Sequence, residues 1–237
     1  MNRIAVLATG TAAVLAGSGF AAVHAEERAR DAAPSIVSIA VDPATVVLTG
    51  RAERRFTITV VAGGARHVRA QVNQAGHGGG TVTSLRPTGR PNTWTGFGTV
   101  NWVDAPGAYS VRVTALDENA DTAEGSRGFQ VRRGTYFKGF AGSPATVRRG
   151  RAITVAGQLK GLNYAGDWAA YQKGAVILYF RKAGTRAWVR YATVTTGRDG
   201  RFVKRFTARS TGDWGAQFRG NGSWAGSSSK ASRVRVR

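Results

Sequence analysis

The chain repeats itself, and that repeat constrains its fold more than any other feature. Asp42 to Ala52 reads DPATVVLTGRA and Ser143 to Ala152 reads SPATVRRGRA. After the shared PATV, each copy carries a GRA tripeptide (Gly50 to Ala52, Gly150 to Ala152) and then an ITV segment (Ile58 to Val60, Ile153 to Val155). Later comes a second match, Gly107-x-Tyr109-x-Val111 against Gly212-x-Trp214-x-Ala216, and each copy closes on an alternating stretch, GFQVRR or SRVRVR. One supersecondary unit therefore occurs twice, with PATV expected at the bend after its first strand, where proline is tolerated on a sheet edge.

Apolar spacing identifies the unit. Phe56, Ile58 and Val60 alternate with polar neighbours, as do Tyr109, Val111 and Val113; Val176, Leu178 and Phe180; and Val234 and Val236. Period two buries one face of a sheet. Turn signals such as Gly63-Gly64, Asp199-Gly200 and Asn221-Gly222 lie between these runs. No stretch after residue 30 sustains helical spacing. With 32 glycines, 6 prolines and 42% hydrophobic residues the chain is too apolar for disorder and too rich in turn formers for a helical bundle. The expected fold class is all-β, as two tandem sandwiches over residues 34–133 and 134–237, with the boundary at Arg132-Arg133-Gly134.

The glycine-x-aromatic-x-small spacing is the tyrosine-corner pattern of immunoglobulin-like sandwiches, with Val or Ala in place of Cys and, in the second copy, Trp in place of Tyr. Both halves resemble the immunoglobulin-like domains of secreted actinobacterial proteins. The second half resembles a C-terminal repeat of that group through Trp188, Thr195, Thr196, Asp199, Gly200, Phe202, Gly212 and Trp214. The resemblance implies architecture and a binding or spacer role, not a chemistry.

Residues 1–25 read as a secretory signal peptide: one early cation at Arg3, an apolar run, and Val23-His24-Ala25 with the small-x-small form of a cleavage site. Gly10, Gly17, Ser18 and Gly19 interrupt the run, whereas a spanning helix wants roughly 20 predominantly apolar residues. Residues 26–33 are expected to be a disordered start to the mature chain, which carries no second apolar run and hence no expected transmembrane span. Without cysteine there is neither a disulfide framework nor a lipid-anchored cysteine, so an exported chain must rely on its cores. The expected location is secreted, in association with the cell wall.

Charge separates the halves. Residues 34–133 hold 11 Lys+Arg and 7 Asp+Glu, a net of +4, whereas residues 134–237 hold 20 and 3, a net of +17. That second half also carries 15 of the 22 aromatic residues. A charge this large attracts polyanions over about 8 Å at physiological salt and exceeds what solubility needs. Outside a cell those polyanions include teichoic acids, acidic polysaccharides, lipid headgroups and shed nucleic acid; no specific nucleic-acid motif is present.

If the apolar set of the second half faces inward, alternation sends Tyr179, Arg181, Gln217, Arg219, Arg233, Arg235 and Arg237 outward on three neighbouring strands of one sheet, with Trp188 and Arg190 beside them. Tyr179, Arg181, Trp188, Arg190, Arg219, Arg233, Arg235 and Arg237 thus form the candidate polyanion-binding face, guanidinium being a bidentate donor to phosphate and sugar-acid oxygens. The competing reading is a solvated basic sheet face. The expected partner is an anionic cell-wall polymer or acidic polysaccharide, with another surface protein as the alternative.

Features for catalysis are sparse. Only His67 and His77 follow the signal, there is no Cys, and no G-x-S-x-G occurs. His77-Gly78-Gly79-Gly80 spells a lipase oxyanion loop without a nucleophile elbow to serve it. A carboxylate pair would have to come from Asp167, Asp199 and Asp213, each expected in a turn, and His67 with His77 lacks a third metal ligand. No enzyme activity and no cofactor are expected. Asp117, Asn119 and Asp121 have the opening spacing of a calcium loop, but Thr122 and Gly128 replace its glycine and closing glutamate, so a polar hairpin loop is the competing assignment.

Overall fold

The computed structural model describes residues 33–75 and 80–237. The expected signal peptide at 1–25, residues 26–32 of the expected following segment, and Gly76, His77, Gly78 and Gly79 lie outside the described residues. Within them every regular element is a strand. The first half comprises β1 (Ser35–Asp42), β2 (Thr45–Leu48), β3 (Arg54–Gly63), β4 (His67–Gln74), β5 (Thr81–Pro87), β6 (Thr93–Val100), β7 (Gly107–Leu116) and β8 (Thr122–Arg133). The second comprises β9 (Thr135–Ser143), β10 (Thr146–Val147), β11 (Ala152–Leu162), β12 (Trp168–Ala170), β13 (Ala175–Lys182), β14 (Val189–Thr195), β15 (Arg201–Thr207), β16 (Gly212–Phe218), β17 (Ser227–Ser228) and β18 (Ser232–Val236).

The repeated PATV marks the same event in both halves. β1 pairs antiparallel with β3, then the chain passes a cis Asp42-Pro43 bond and β2 pairs parallel with β8. β9 pairs with β11, then a cis Ser143-Pro144 bond precedes β10, which pairs parallel with β18. Each proline sits where the chain leaves one sheet for the other, a place where its missing N–H is not needed by a ladder. In the first half the strand order is β1-β3-β6-β5-β4-β7-β8-β2. There β5 joins the two faces of the sandwich, pairing with β4 through Leu85 and with β6 from Arg86. In the second half β10-β18-β16-β13-β14 form one sheet, and β12, β11, β15 and β9 form the other. This all-β, two-sandwich arrangement is immunoglobulin-like in its sheet-switching first strand and in the order of its closing strands.

Alternation places the cores. Phe56, Ile58, Val60, Val111, Val113 and Val131 are buried in the first; Val155, Leu159, Val176, Leu178, Trp214 and Val234 in the second. Fully burying one such aliphatic side chain stabilises by about 1.5–3 kcal/mol.

The matched glycine-x-aromatic positions solve different problems. Tyr109 Oη donates to the Ala105 carbonyl at 2.8 Å, the tyrosine-corner bond, and Gly107 has φ +145°, a conformation that favours glycine. Trp214 makes no such bond: its buried Nε1 has no partner among the described residues, and its ring stacks on Phe206 at 4.6 Å beside Phe180 and Tyr191. Gly212 is there for space, since a Cβ would stand 2.4 Å from the Phe180 ring. An aromatic cluster has replaced a hydrogen bond.

Between the cores lies Arg133, fully buried at the end of β8. Its Nη1 donates to Asn163 O at 2.7 Å and its Nη2 to Trp102 O at 3.1 Å and Asp104 O at 3.3 Å, while the guanidinium stacks 4.1 Å from the Tyr164 ring centre. Its main chain bonds to Ser223 and Ala225. Around it Gly134 N donates to Leu48 O, and Leu162 of β11 packs into the first core. Arg51 also pairs with Asp167 at 3.1 Å, an exposed contact that adds little. The halves are held together by a cation without a carboxylate, whose two Nη groups are bonded to carbonyls and whose plane lies on an aromatic face, while its buried Nε has no partner among the described residues.

Arg133→Met retains much of the stem but orphans three carbonyls, and the expected loss is about 3 kcal/mol or more; calorimetry should resolve two transitions where the parent shows one. Burial and the nearby Asp104 charge push the Tyr109 phenol up to about 12 from 10.0. The neutral phenol is thus favoured in the folded chain. Its contribution is complete below pH 10 and lost as pH rises through about 12. Tyr109→Phe should remove that alkaline loss and lower stability at neutral pH by about 1 kcal/mol, both measurable by denaturant titration.

Candidate functional site

The outer face of the β18-β16-β13-β14 sheet carries the arginines, because the inward set Val176, Leu178, Trp214, Ala216, Phe218 and Val234 is consumed by the core. Strand register fixes which outward side chains meet. Arg181 on β13 and Arg233 on β18 both stand opposite Asp213 on β16. Arg181 Nη2 lies 2.9 Å from Asp213 Oδ2, and Arg233 Nη1 lies 3.6 Å from Asp213 Oδ1. Asp213 is only 8% exposed and belongs to a strand, not to the turn expected for it. It therefore neutralises part of the face near the start of β16.

Tyr179 stands opposite Gly215 on one side and Arg190 on the other. Its hydroxyl donates to Gln217 Oε1 at 3.1 Å. Arg190 is exposed and donates from Nη2 to Thr193 Oγ1 at 2.7 Å, and Trp188 packs under the Arg181 guanidinium, 4.7 Å from its ring centre. At the lower end Arg233, Arg235 and Arg237 line an open concavity of about 650 Å³ with Thr146 and Thr211. Arg219 is exposed just past β16, six residues from Asp213 and hence about 20 Å along the strand. The structure brings together Arg233, Arg235 and Arg237 around one concavity, and Tyr179, Trp188 and Arg190 around another part of the sheet, with Arg181 reaching Arg233 through Asp213 and Trp188 by stacking; Arg219 joins neither group. Basic residues also border the opposite sheet, where Lys138 and Arg201 flank a hollow of about 800 Å³.

The remaining candidates have local partners. Asp117 Oδ1 accepts from the amides of Asn119 and Asp121, each at 2.9 Å, so it closes the β7–β8 loop on itself, and Glu118 pairs with Arg66. Asp199 Oδ1 accepts from Arg201 N in the hairpin before β15. Asp167 caps no other acid; it faces Arg51. His67 is exposed at the start of β4. Among the described residues no three His, Cys, Asp or Glu side chains group as metal ligands. The Asp213 clamp could not be read from the sequence, because it depends on two strand registers. Gly215 left a clearer trace, as a residue without a side chain at an outward position of β16.

No family model matches the chain, and no curated protein matches it. Among solved structures, a chimeric titin Z1Z2-Z1Z2 tandem is 14% identical over 86% of this chain and 99% of its own, with a TM-score of 0.32. A tetra-tandem repeat from the extending region of a large adhesion protein is 13% identical over 85% of this chain and 50% of its own, with a TM-score of 0.35. The Yersinia pseudotuberculosis adhesin InvE is 11% identical over 85% of this chain and 58% of its own, with a TM-score of 0.32.

Asp213→Asn would leave two guanidinium groups facing each other across a neutral amide. The expected cost is about 2 kcal/mol, because hydrogen bonds to a charged, mostly buried carboxylate are worth more than surface pairs. A double-mutant cycle with Arg181→Gln measures the coupling, and a value near zero would show Asp213 to be incidental.

Proposed function

We propose that this chain is a secreted, non-enzymatic binding module whose second sandwich docks electrostatically on an anionic cell-envelope polymer. The observation that carries the reading is the net +17 of residues 134–237 combined with exposed Arg190, Arg219, Arg235 and Arg237, for which no carboxylate partner is found among the described residues. Arg190 and Arg235 stand on strands of the sheet and Arg219 and Arg237 just past strand ends, and their guanidinium groups present donors to phosphate or carboxylate oxygens. Arg181 and Arg233 contribute less, since Asp213 already engages them. A non-enzymatic role is supported by the fate of Asp167, Asp199 and Asp213, the three acids of the second half, each held by an arginine or a loop amide.

A surface spacer or protein-interaction module is the second reading, and the Arg133 junction favours it: two sandwiches bonded through a buried side chain would hold whatever the chain carries at a set distance.

Binding of the mature protein to isolated cell walls, with and without teichoic acid, separates the readings. Neutralising roughly 6 phosphates should cost about a thousandfold in affinity between 50 and 200 mM salt, by analogy with DNA. Joint replacement of Arg190, Arg219, Arg235 and Arg237 by Gln should flatten that dependence. Salt-insensitive binding, or none, would contradict docking by charge and leave the spacer reading.

A further inference from the structure

The basic sheet also holds a groove that bare phosphate does not need. Over the β13–β16 pair a hollow of about 390 Å³ is lined by Tyr179, Trp188, Gly215, Gln217, Ser228 and Ser229. Gly215 creates it. A Cβ at that outward position would stand 3.2 Å from Cζ3 of Trp188, so the missing side chain lets the indole lie against the strand. Arg181 stacks on the indole yet does not line the hollow, so the ring stands between the guanidinium and the groove. The result is an aromatic wall, 40% exposed, held in place from behind.

The rest of the lining is polar and partly fixed. Gln217 Oε1 is taken by the Tyr179 hydroxyl, which orients the carboxamide and leaves its Nε2 donors uncommitted among the described residues. Ser229 Oγ accepts from Ala216 N, so its own O–H remains a donor. Arg190 sits opposite Tyr179 on the adjoining strand, outside the lining of the hollow but next to it in register, with no carboxylate partner among the described residues.

These parts match one ligand chemistry. A pyranose ring offers a face of C–H groups to the negative face of an indole, hydroxyls to amide and serine donors, and, when it is a uronic acid, a carboxylate to a guanidinium. The volume is at the low end for small-molecule sites and admits about one or two such rings. A polyphosphate chain would use the arginine and the amide and serine donors but leave the aromatic wall idle. We propose that this groove binds a hexuronate residue of an acidic polysaccharide, with Trp188 as the stacking platform, Gln217 and Ser229 as hydroxyl partners and Arg190 as the carboxylate partner. The proposal rests on the polyanion reading of the same sheet and specifies its ligand.

Calorimetric titration of the full mature chain with polygalacturonate and with linear polyphosphate of matched charge tests it, with dextran as the neutral control. The parent should bind polygalacturonate with a component that survives at 200 mM salt, and dextran should bind at least tenfold more weakly. Trp188→Ala should lower the ratio of polygalacturonate to polyphosphate affinity by about tenfold, and Gly215→Val, which drives the indole from the strand, should do the same. An unchanged ratio in both variants would overturn the groove assignment while leaving electrostatic docking intact. Dextran binding as tightly as polygalacturonate would overturn the role of Arg190. Failure of both charged polymers to bind would remove the polyanion reading and this proposal with it.

Discussion

A single buried guanidinium holds the two halves in register. Arg133 is fully buried without a counter-charge, a placement that would be prohibitive for an unpaired cation. It is tolerated because two of its nitrogens donate to three carbonyls and its plane lies on Tyr164. Burial also holds its ionisation below the ordinary arginine value. Two of those carbonyls, Trp102 and Asp104, belong to the loop whose Ala105 carbonyl receives the Tyr109 hydroxyl. The tyrosine corner of the first sandwich and the junction with the second therefore share one loop, and disturbing either disturbs both. Leu162, donated by the second half to the first core, adds an apolar contact to this polar clamp.

The same logic of register organises the basic sheet. Asp213 lies where the outward positions of β13, β16 and β18 meet, so the strongest local charge density is compensated from within. Arginines beyond its reach, at β14 and at the end of β18, keep their charge for solvent or a partner. The aromatic wall at Trp188 occupies the gap between these regions. Gly215 provides the space and Arg181, itself tied to Asp213, backs the ring. The parts of this face are thus coupled: the acid that neutralises part of it also steadies the arginine that supports the indole.

Much of this was legible in the sequence. The repeat announced two units of one kind, and alternation placed Val176, Leu178, Trp214, Ala216 and Val234 inward and the arginines outward. Three features were not legible, each for a physical reason. Burial of Arg133 depends on carbonyls supplied by residues some thirty positions away, and an Arg-Arg-Gly run reads locally as an exposed joint. The clamp on Asp213 depends on register across two strand pairs, which period-two alternation does not fix. Replacement of the tyrosine corner by stacked rings at Trp214 arises from Phe180, Tyr191 and Phe206 on three separate strands. At Asp117 one carboxylate oxygen accepts from two amides of its own loop, an arrangement that fits the hairpin-loop assignment.

The most direct measurement is a map of arginine side-chain Nε–H resonances by NMR during titration with an anionic wall polymer. If the basic sheet is the docking face, Arg190, Arg235 and Arg237 shift together and saturably, Arg181 shifts less because Asp213 already holds it, and Arg201 on the opposite sheet stays in place. Shifts confined to Arg201 and its neighbours, or spread evenly over every exposed arginine, would contradict a docking face on this sheet.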